Sequence, residues 1–291
     1  MNLCDIKTVR QIMSMFHLTF RKEFGQNFLT DRLVVEDIAD LCCTAPDSTI
    51  LEIGPGIGTL TTELALRHKE VVALEIDRGL IPVLRYTLEE FDNVRVINED
   101  VMRVDLEELL SPCFAAGSVS VCANLPYYIT TPILMKLLEC GLPFSYITIM
   151  IQAEVADRLC ARAGSKDYGA ITAVLAYYGE AEKLFEVPAD RFIPAPKVDS
   201  TVVRIKLHEK KPYCPKDEAL LFRTIKAAFG QRRKTLINAL GAGFPELSRE
   251  QITAAVTDCG HDANIRGERL DISAFTALSD RLLTDLERLP T

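Results

Sequence analysis

The stretch Leu51-Glu52-Ile53-Gly54-Pro55-Gly56-Ile57-Gly58 decides how the rest of this chain is read. Three residues close an apolar run, three alternate glycines follow, and Thr59, Thr61 and Thr62 stand at the start of a helix-period segment. Glycines at a strand-to-helix turn admit positive φ and let a ligand approach the backbone closely, beside the first helical N–H groups. A tight turn without a ligand would use the same residues, so the loop alone is a weak signal. A dinucleotide-binding loop needs glycines at its first, third and sixth positions. Counted from Gly54 the sixth is Thr59, and counted from Gly56 it is Thr61, so that reading fits poorly.

Outward from the loop, short apolar runs at 49–53, 71–75, 94–97, 119–122 and 147–151 alternate with longer amphipathic or loop stretches. This is the rhythm of an α/β protein, a parallel sheet covered by helices. Two further runs, 181–187 and 200–207, are joined by the proline-rich Arg191-Phe192-Ile193-Pro194-Ala195-Pro196-Lys197 and are expected to form an antiparallel pair closing the sheet. Polar, proline-bearing residues 208–215 end the periodicity, and helices separated by glycine or proline follow. The expected division is an N-terminal extension at 1–19, an α/β domain at 20–208 and a small all-helical domain at 209–291.

With 291 residues, 48% of them hydrophobic, the chain can bury a large core. No apolar run nears the roughly 20 residues that span a bilayer, and Asp5, Lys7, Arg10 and His17 interrupt the N-terminus, so a cytoplasmic protein is expected. The nine cysteines form no CxxC pair and read as reduced, buried thiols; the four histidines lack ligand spacing, and no metal is expected. The net charge of −8 argues weakly against a nucleic-acid partner. It is unevenly spread: residues 190–291 carry 17 basic against 14 acidic side chains, or +3, leaving −11 for the first 189.

Glu75 ends the second apolar run, where a carboxylate can accept both hydrogen bonds of a ribose diol. Asp100 follows the third run, and an adenine amino group is its natural partner. A glycine loop and two acids at successive strand ends describe an adenosine site. The order of elements resembles the class I S-adenosylmethionine-dependent methyltransferases, which implies a Rossmann-like, mostly parallel seven-stranded sheet.

After the fourth run comes Asn124-Leu125-Pro126-Tyr127-Tyr128, similar to the signature of methyltransferases that modify exocyclic amino groups of bases. Such an amine is a poor nucleophile because its lone pair is delocalised into the ring, while a methyl sulfonium is already a strong electrophile. The Asn124 amide oxygen and the Leu125 carbonyl can accept the two amine hydrogens and aim the lone pair. Pro126 stiffens the loop, and Tyr127 can stack on the base, a contact worth about 1–3 kcal/mol in single-strand sites.

Five separated motifs sharpen the resemblance: KEFGQNFL at 22–29, the glycine loop, NLPYYITTPI at 124–133, FIPAPKVDS at 192–200 and FGQRRKTL at 229–236. From about Phe20 onward the chain resembles the KsgA family of ribosomal RNA adenine dimethyltransferases. The resemblance implies methyl transfer from S-adenosylmethionine to N6 of two adjacent adenines in a 3′-terminal hairpin of small-subunit (16S) ribosomal RNA, within a pre-30S particle. It implies cofactor contacts from Asn27, Leu29, Gly54, Glu75, Asp100 and Asn124, and a reaction pocket of Asn124, Leu125, Pro126, Tyr127 and Phe192, the last an aromatic wall opposite Tyr127. Phe28 would help close the entrance. Arg232, Arg233 and Lys234 would contact RNA phosphates, local patches outweighing net charge. Asn98-Glu99-Asp100 lacks the glycine that some methyltransferases place before the acid, which leaves the adenine contact less defined than the ribose contact. Two other readings stay open: a large-subunit ribosomal RNA methyltransferase of the antibiotic-resistance type, and a non-catalytic ribosome-assembly or transcription factor on the same fold.

Overall fold

The computed structural model describes residues 1–20, 25–43, 45 and 47–289. Lys22, Glu23 and Phe24 of the first motif lie outside the described residues. Two compact units emerge: Met1–Ala156 with Glu182–Leu207, and Asp157–Ala181 with His208–Thr291.

The first unit holds a seven-stranded sheet. Its strands are β1 (Thr49–Ile53), β2 (Glu70–Leu74), β3 (Val94–Ile97), β4 (Val119–Asn124), β5 (Tyr146–Gln152), β6 (Gly179–Val187) and β7 (Ser200–Leu207). They lie in the order β3-β2-β1-β4-β5-β7-β6. The first five pair in parallel and β7 runs antiparallel to β5, so β6 and β7 do close the sheet at one edge. All five residues of β1 are buried, as expected of a central strand covered on both faces, whereas edge strand β3 is only partly buried. The order reverses beside β1, and the carboxyl ends of β1, β2 and β4 therefore flank one crevice, the usual ligand position in such sheets.

Helices α1 (Ile6–Met15), α2 (Arg32–Leu41), α3 (Thr59–Arg67), α4 (Ile81–Thr87), α5 (Leu106–Ala116) and α6 (Thr130–Glu139) cover this sheet region of the chain. Asp5, Asp31 and Asp105 cap α1, α2 and α5 by accepting backbone N–H groups. The N-terminal extension belongs to this unit's core, since Val9, Ile12 and Met13 of α1 cluster with Phe28, Ile57, Leu80 and Val83. Cys42 and Cys122 are fully buried, Cys42 with His68 at 3.6 Å and the other imidazole nitrogen of His68 at 3.2 Å from Ser48 Oγ. α7 (Ala153–Leu159) crosses the first division between units.

The second unit is helical: α8 (Ala170–Tyr178), α9 (Glu218–Gly230), α10 (Leu236–Gly243), α11 (Arg249–Asp258) and α12 (Ile272–Leu286). It differs from the expected 209–291 by taking in residues 157–181. The physical reason is a shared core: Tyr168, Ala173 and Tyr177 are buried with Leu221, Leu240, Phe244 and Phe275, while Tyr168 donates to the Leu270 carbonyl at 2.9 Å. Among the described residues, no helix is long and apolar enough to cross a membrane.

Candidate active site

β1 ends in Ile53, and the chain turns on Gly54, Gly56 and Gly58 at φ +73°, +62° and +92° before α3 begins. A Cβ on Gly56 would stand 2.9 Å from the Phe28 ring, so the loop and that ring are in close contact. The glycines thus shape one wall of a cleft lined by Asn27, Phe28, Leu29, Glu52, Gly54 and Glu75, together with Asn124, Leu125 and Pro126 at the end of the neighbouring strand β4.

Glu75 follows β2 and is almost fully buried. Its carboxylate accepts the N–H of Gly56 at 3.1 Å and of Asp77 at 2.8 Å, and Asn98 steadies it by donating to the Glu75 carbonyl at 2.7 Å. Burial nonetheless pushes its carboxyl up to about 7. Glu52 is buried deeper, and burial pushes it up to about 8. Among the described residues, its Oε2 and the hydroxyl of Thr59, both on residues lining the cleft, have no hydrogen-bond partner at normal distance, with the Thr61 hydroxyl near Glu52. Such orphaned polar atoms are where a bound polar ligand or water gains most. A cradle of open glycine backbone, a carboxylate at the ribose position and orphaned acceptors make a donor and acceptor set that fits an adenosine bearing an amino-acid tail.

Asn124 ends β4. Its amide nitrogen donates to the Asn27 carbonyl at 3.1 Å, which leaves Oδ1 as the end free to accept from an amine. The strap 25–29 therefore touches the 124–127 loop directly, and a Cβ on Gly25 would meet Pro126 at 3.1 Å. Phe28 and Leu29 pair antiparallel with Ile193 and Phe192, while Thr30 N–H donates to the Arg191 carbonyl at 2.8 Å. Gln26 ties the other end of the strap to Asp77 at 2.9 Å. Tyr127 is half-buried, and its Oη lies 2.7 Å from Ser200 Oγ.

Two expected site residues stand apart. Asp100 does not line the cleft: its carboxylate folds back to accept the Met102 N–H at 2.9 Å and lies 3.7 Å from Arg103, the turn-forming habit of aspartate after a strand. Phe192 is no open aromatic wall. It is 4% exposed and packs with Leu29, Val35, Met150 and Val202, because its pairing with Leu29 turns the ring into the core. Glu52, Asn98, Asp77 and Ser200 were not singled out from the sequence. The acid at position 52, inside an otherwise apolar run, was the one signal that could have flagged its site.

In the second unit Arg232, Arg233 and Lys234 occupy the exposed turn between α9 and α10. Arg232 is engaged, donating to Glu268 at 3.3 Å and to the Lys166 carbonyl. Arg233 and Lys234 extend the cationic surface beside it.

The sequence matches the family described as ribosomal RNA adenine dimethylase over residues 17–272. It is 45% identical over 270 residues to the ribosomal RNA small subunit methyltransferase A of Alkaliphilus metalliredigens, covering 93% of this chain and 94% of that one. Among solved structures, it is similar to a dimethyladenosine transferase from Plasmodium falciparum, with TM-score 0.72, 23% identity and coverage of 89% of this chain and 98% of the other. The 23S ribosomal RNA methyltransferase ErmE superposes with TM-score 0.66 and 27% identity, covering 88% and 99%.

Proposed function

From its membership of the ribosomal RNA adenine dimethylase family, to which this chain belongs, we propose that the protein transfers methyl groups from S-adenosylmethionine to N6 of two adjacent adenines in a 3′-terminal hairpin of small-subunit ribosomal RNA. The substrate is the RNA within a pre-30S particle in the cytoplasm. The observation that carries the reading is Asn124, pinned by Asn27 at the end of β4 beside the glycine cradle.

When bound, S-adenosylmethionine supplies a methyl group on an electrophilic sulfonium. Glu75 accepts from the ribose hydroxyls, and Asn27, Leu29 and Gly54 enclose the adenosine side. Asp100 lies outside the cleft lining, with one oxygen on the Met102 N–H and the other 3.7 Å from Arg103, and is given no contact in this reading. Asn124 Oδ1 and the Leu125 carbonyl accept the hydrogens of the target amine and hold its lone pair toward the methyl. So held, the amine would take the methyl group that the donor supplies, leaving the donor a neutral thioether, and its surplus proton would pass to water. Pro126 stiffens that loop, Tyr127 stacks on the base, and Phe192 supports the strap from the core. Arg233 and Lys234, with Arg232 beside them, supply phosphate contacts.

Incubating the protein with isotopically labelled S-adenosylmethionine and small subunits lacking the modification tests this. Mass spectrometry should find N6,N6-dimethyladenosine at two adjacent positions of small-subunit RNA. Label in large-subunit RNA would favour the antibiotic-resistance activity. No label in either would favour a binding factor.

A further inference from the structure

We propose that Ser200 is a positioning residue for the target base, acting through the phenol of Tyr127; this rests on reading Tyr127 as the stacking platform. The 2.7 Å between Tyr127 Oη and Ser200 Oγ is an ordinary hydroxyl-to-hydroxyl hydrogen bond. Its two ends differ in how they are held. Ser200 is fully buried and opens β7, where pairing with Gln152 fixes its backbone. The preceding residue is held as well: the Asp199 carbonyl accepts the Ala153 N–H at 3.0 Å and its carboxylate the Ala189 N–H at 2.9 Å. Tyr127, by contrast, lies in the turn between β4 and α6.

A tyrosine ring can leave a stacked base by swinging about χ1 or rotating about χ2. A bond at the far end of the ring restrains the swing, which carries Oη with it, though not the rotation, whose axis passes through Oη, and its anchor here is a strand end two positions across the sheet from β4. Burial, reinforced by the negative charge of Asp199, raises the phenol above its ordinary value, so the hydroxyl pair persists at neutral pH. Ser200 does not line the cofactor cleft. Its loss should therefore affect the base and spare the cofactor.

The test compares Ser200→Ala, Tyr127→Phe and the double variant on small subunits lacking the modification. Each single change should lower kcat roughly 2–10-fold, the worth of one neutral hydrogen bond, leave KM for S-adenosylmethionine unchanged, and raise the ratio of monomethyl- to dimethyl-adenosine. The double variant should be no slower than the worse single one, since both remove the same bond. The χ1 distribution of isotopically labelled Tyr127, read from NMR couplings without turnover, should broaden in Ser200→Ala. Additive losses, a parent-like product ratio, or a parent-like χ1 distribution would each overturn the proposal. If the parent protein dimethylates and Ser200→Ala matches it, the positioning role alone falls; an inactive parent removes the methyl-transfer reading and the positioning role with it.

Discussion

Glu75 and Glu52 carry carboxyl groups that burial raises to about 7 and about 8. Both exceed the ordinary value of 4.5, so from that pH up to about 8 these two groups bind more protons in the folded, cofactor-free protein than in the unfolded chain. Their contribution to stability therefore falls as pH rises through this window. Glu52→Gln removes one of the two groups, and urea unfolding at pH 6 and pH 8 should show a smaller loss for the variant than for the parent. Ribose hydroxyls donate better to a carboxylate than to a carboxylic acid. Affinity for 5′-methylthioadenosine, which has no group titrating in this range, should accordingly rise with pH through about 7. Glu75→Gln should bind it about 10–100-fold more weakly, as charged hydrogen bonds of about 1.5–3 kcal/mol imply, and without that pH dependence. Calorimetry across the same range reads both outcomes, and unchanged affinity would remove Glu75 from the site. Glu75 was legible because it stood at a strand end. Glu52 was not, because its side chain meets the cleft only once β1 becomes the central strand.

Among the elements, the strap 25–29 joins the two halves of the chemistry. Its carbonyl at Asn27 holds Asn124, its Phe28 ring rests on the glycine loop, and its Leu29 pairs with Phe192. Gly56→Ala would place a methyl group 2.9 Å from the Phe28 ring at φ +62°. Left-handed backbone costs a non-glycine residue about 1–2 kcal/mol, and the buried ring must also move. Weaker cofactor binding is expected, together with faster hydrogen exchange at Phe28 and Leu29; normal protection of both amides would show that the strap tolerates the change. The motif itself was readable, but its partner was not, since Leu29 and Phe192 are far apart in the chain and pair over only two residues.

For the whole molecule, a net charge of −8 has to coexist with the proposed RNA substrate, and the cations at 232–234 are not held alike. Arg232 is tied to Glu268 and Lys166, so Arg232→Ala should lower stability by up to about 1 kcal/mol, the range of exposed ion pairs. The double variant Arg233→Ala with Lys234→Ala should instead weaken small-subunit binding and reduce the slope of log affinity against log salt by about 1.5–2, as two lost phosphate contacts require. Filter binding across salt concentrations separates these effects, and an unchanged slope would return both residues to the solvated surface.

By itself the sequence determined what depends on local pattern: the alternation of strands and helices, the glycine loop, the acid after β2, and the Asn-Leu-Pro-Tyr stretch at 124–127, each of which is contiguous in the chain. Only the tertiary structure decided which groups meet. Residues 157–181 joined the helical unit because their apolar side chains found that core. Phe192 turned inward, Asp100 folded onto its own turn, and Ser200 reached Tyr127 across the sheet. Burial and side-chain direction belong to packing between distant segments, and periodicity along a chain records only which face is apolar, not what it faces.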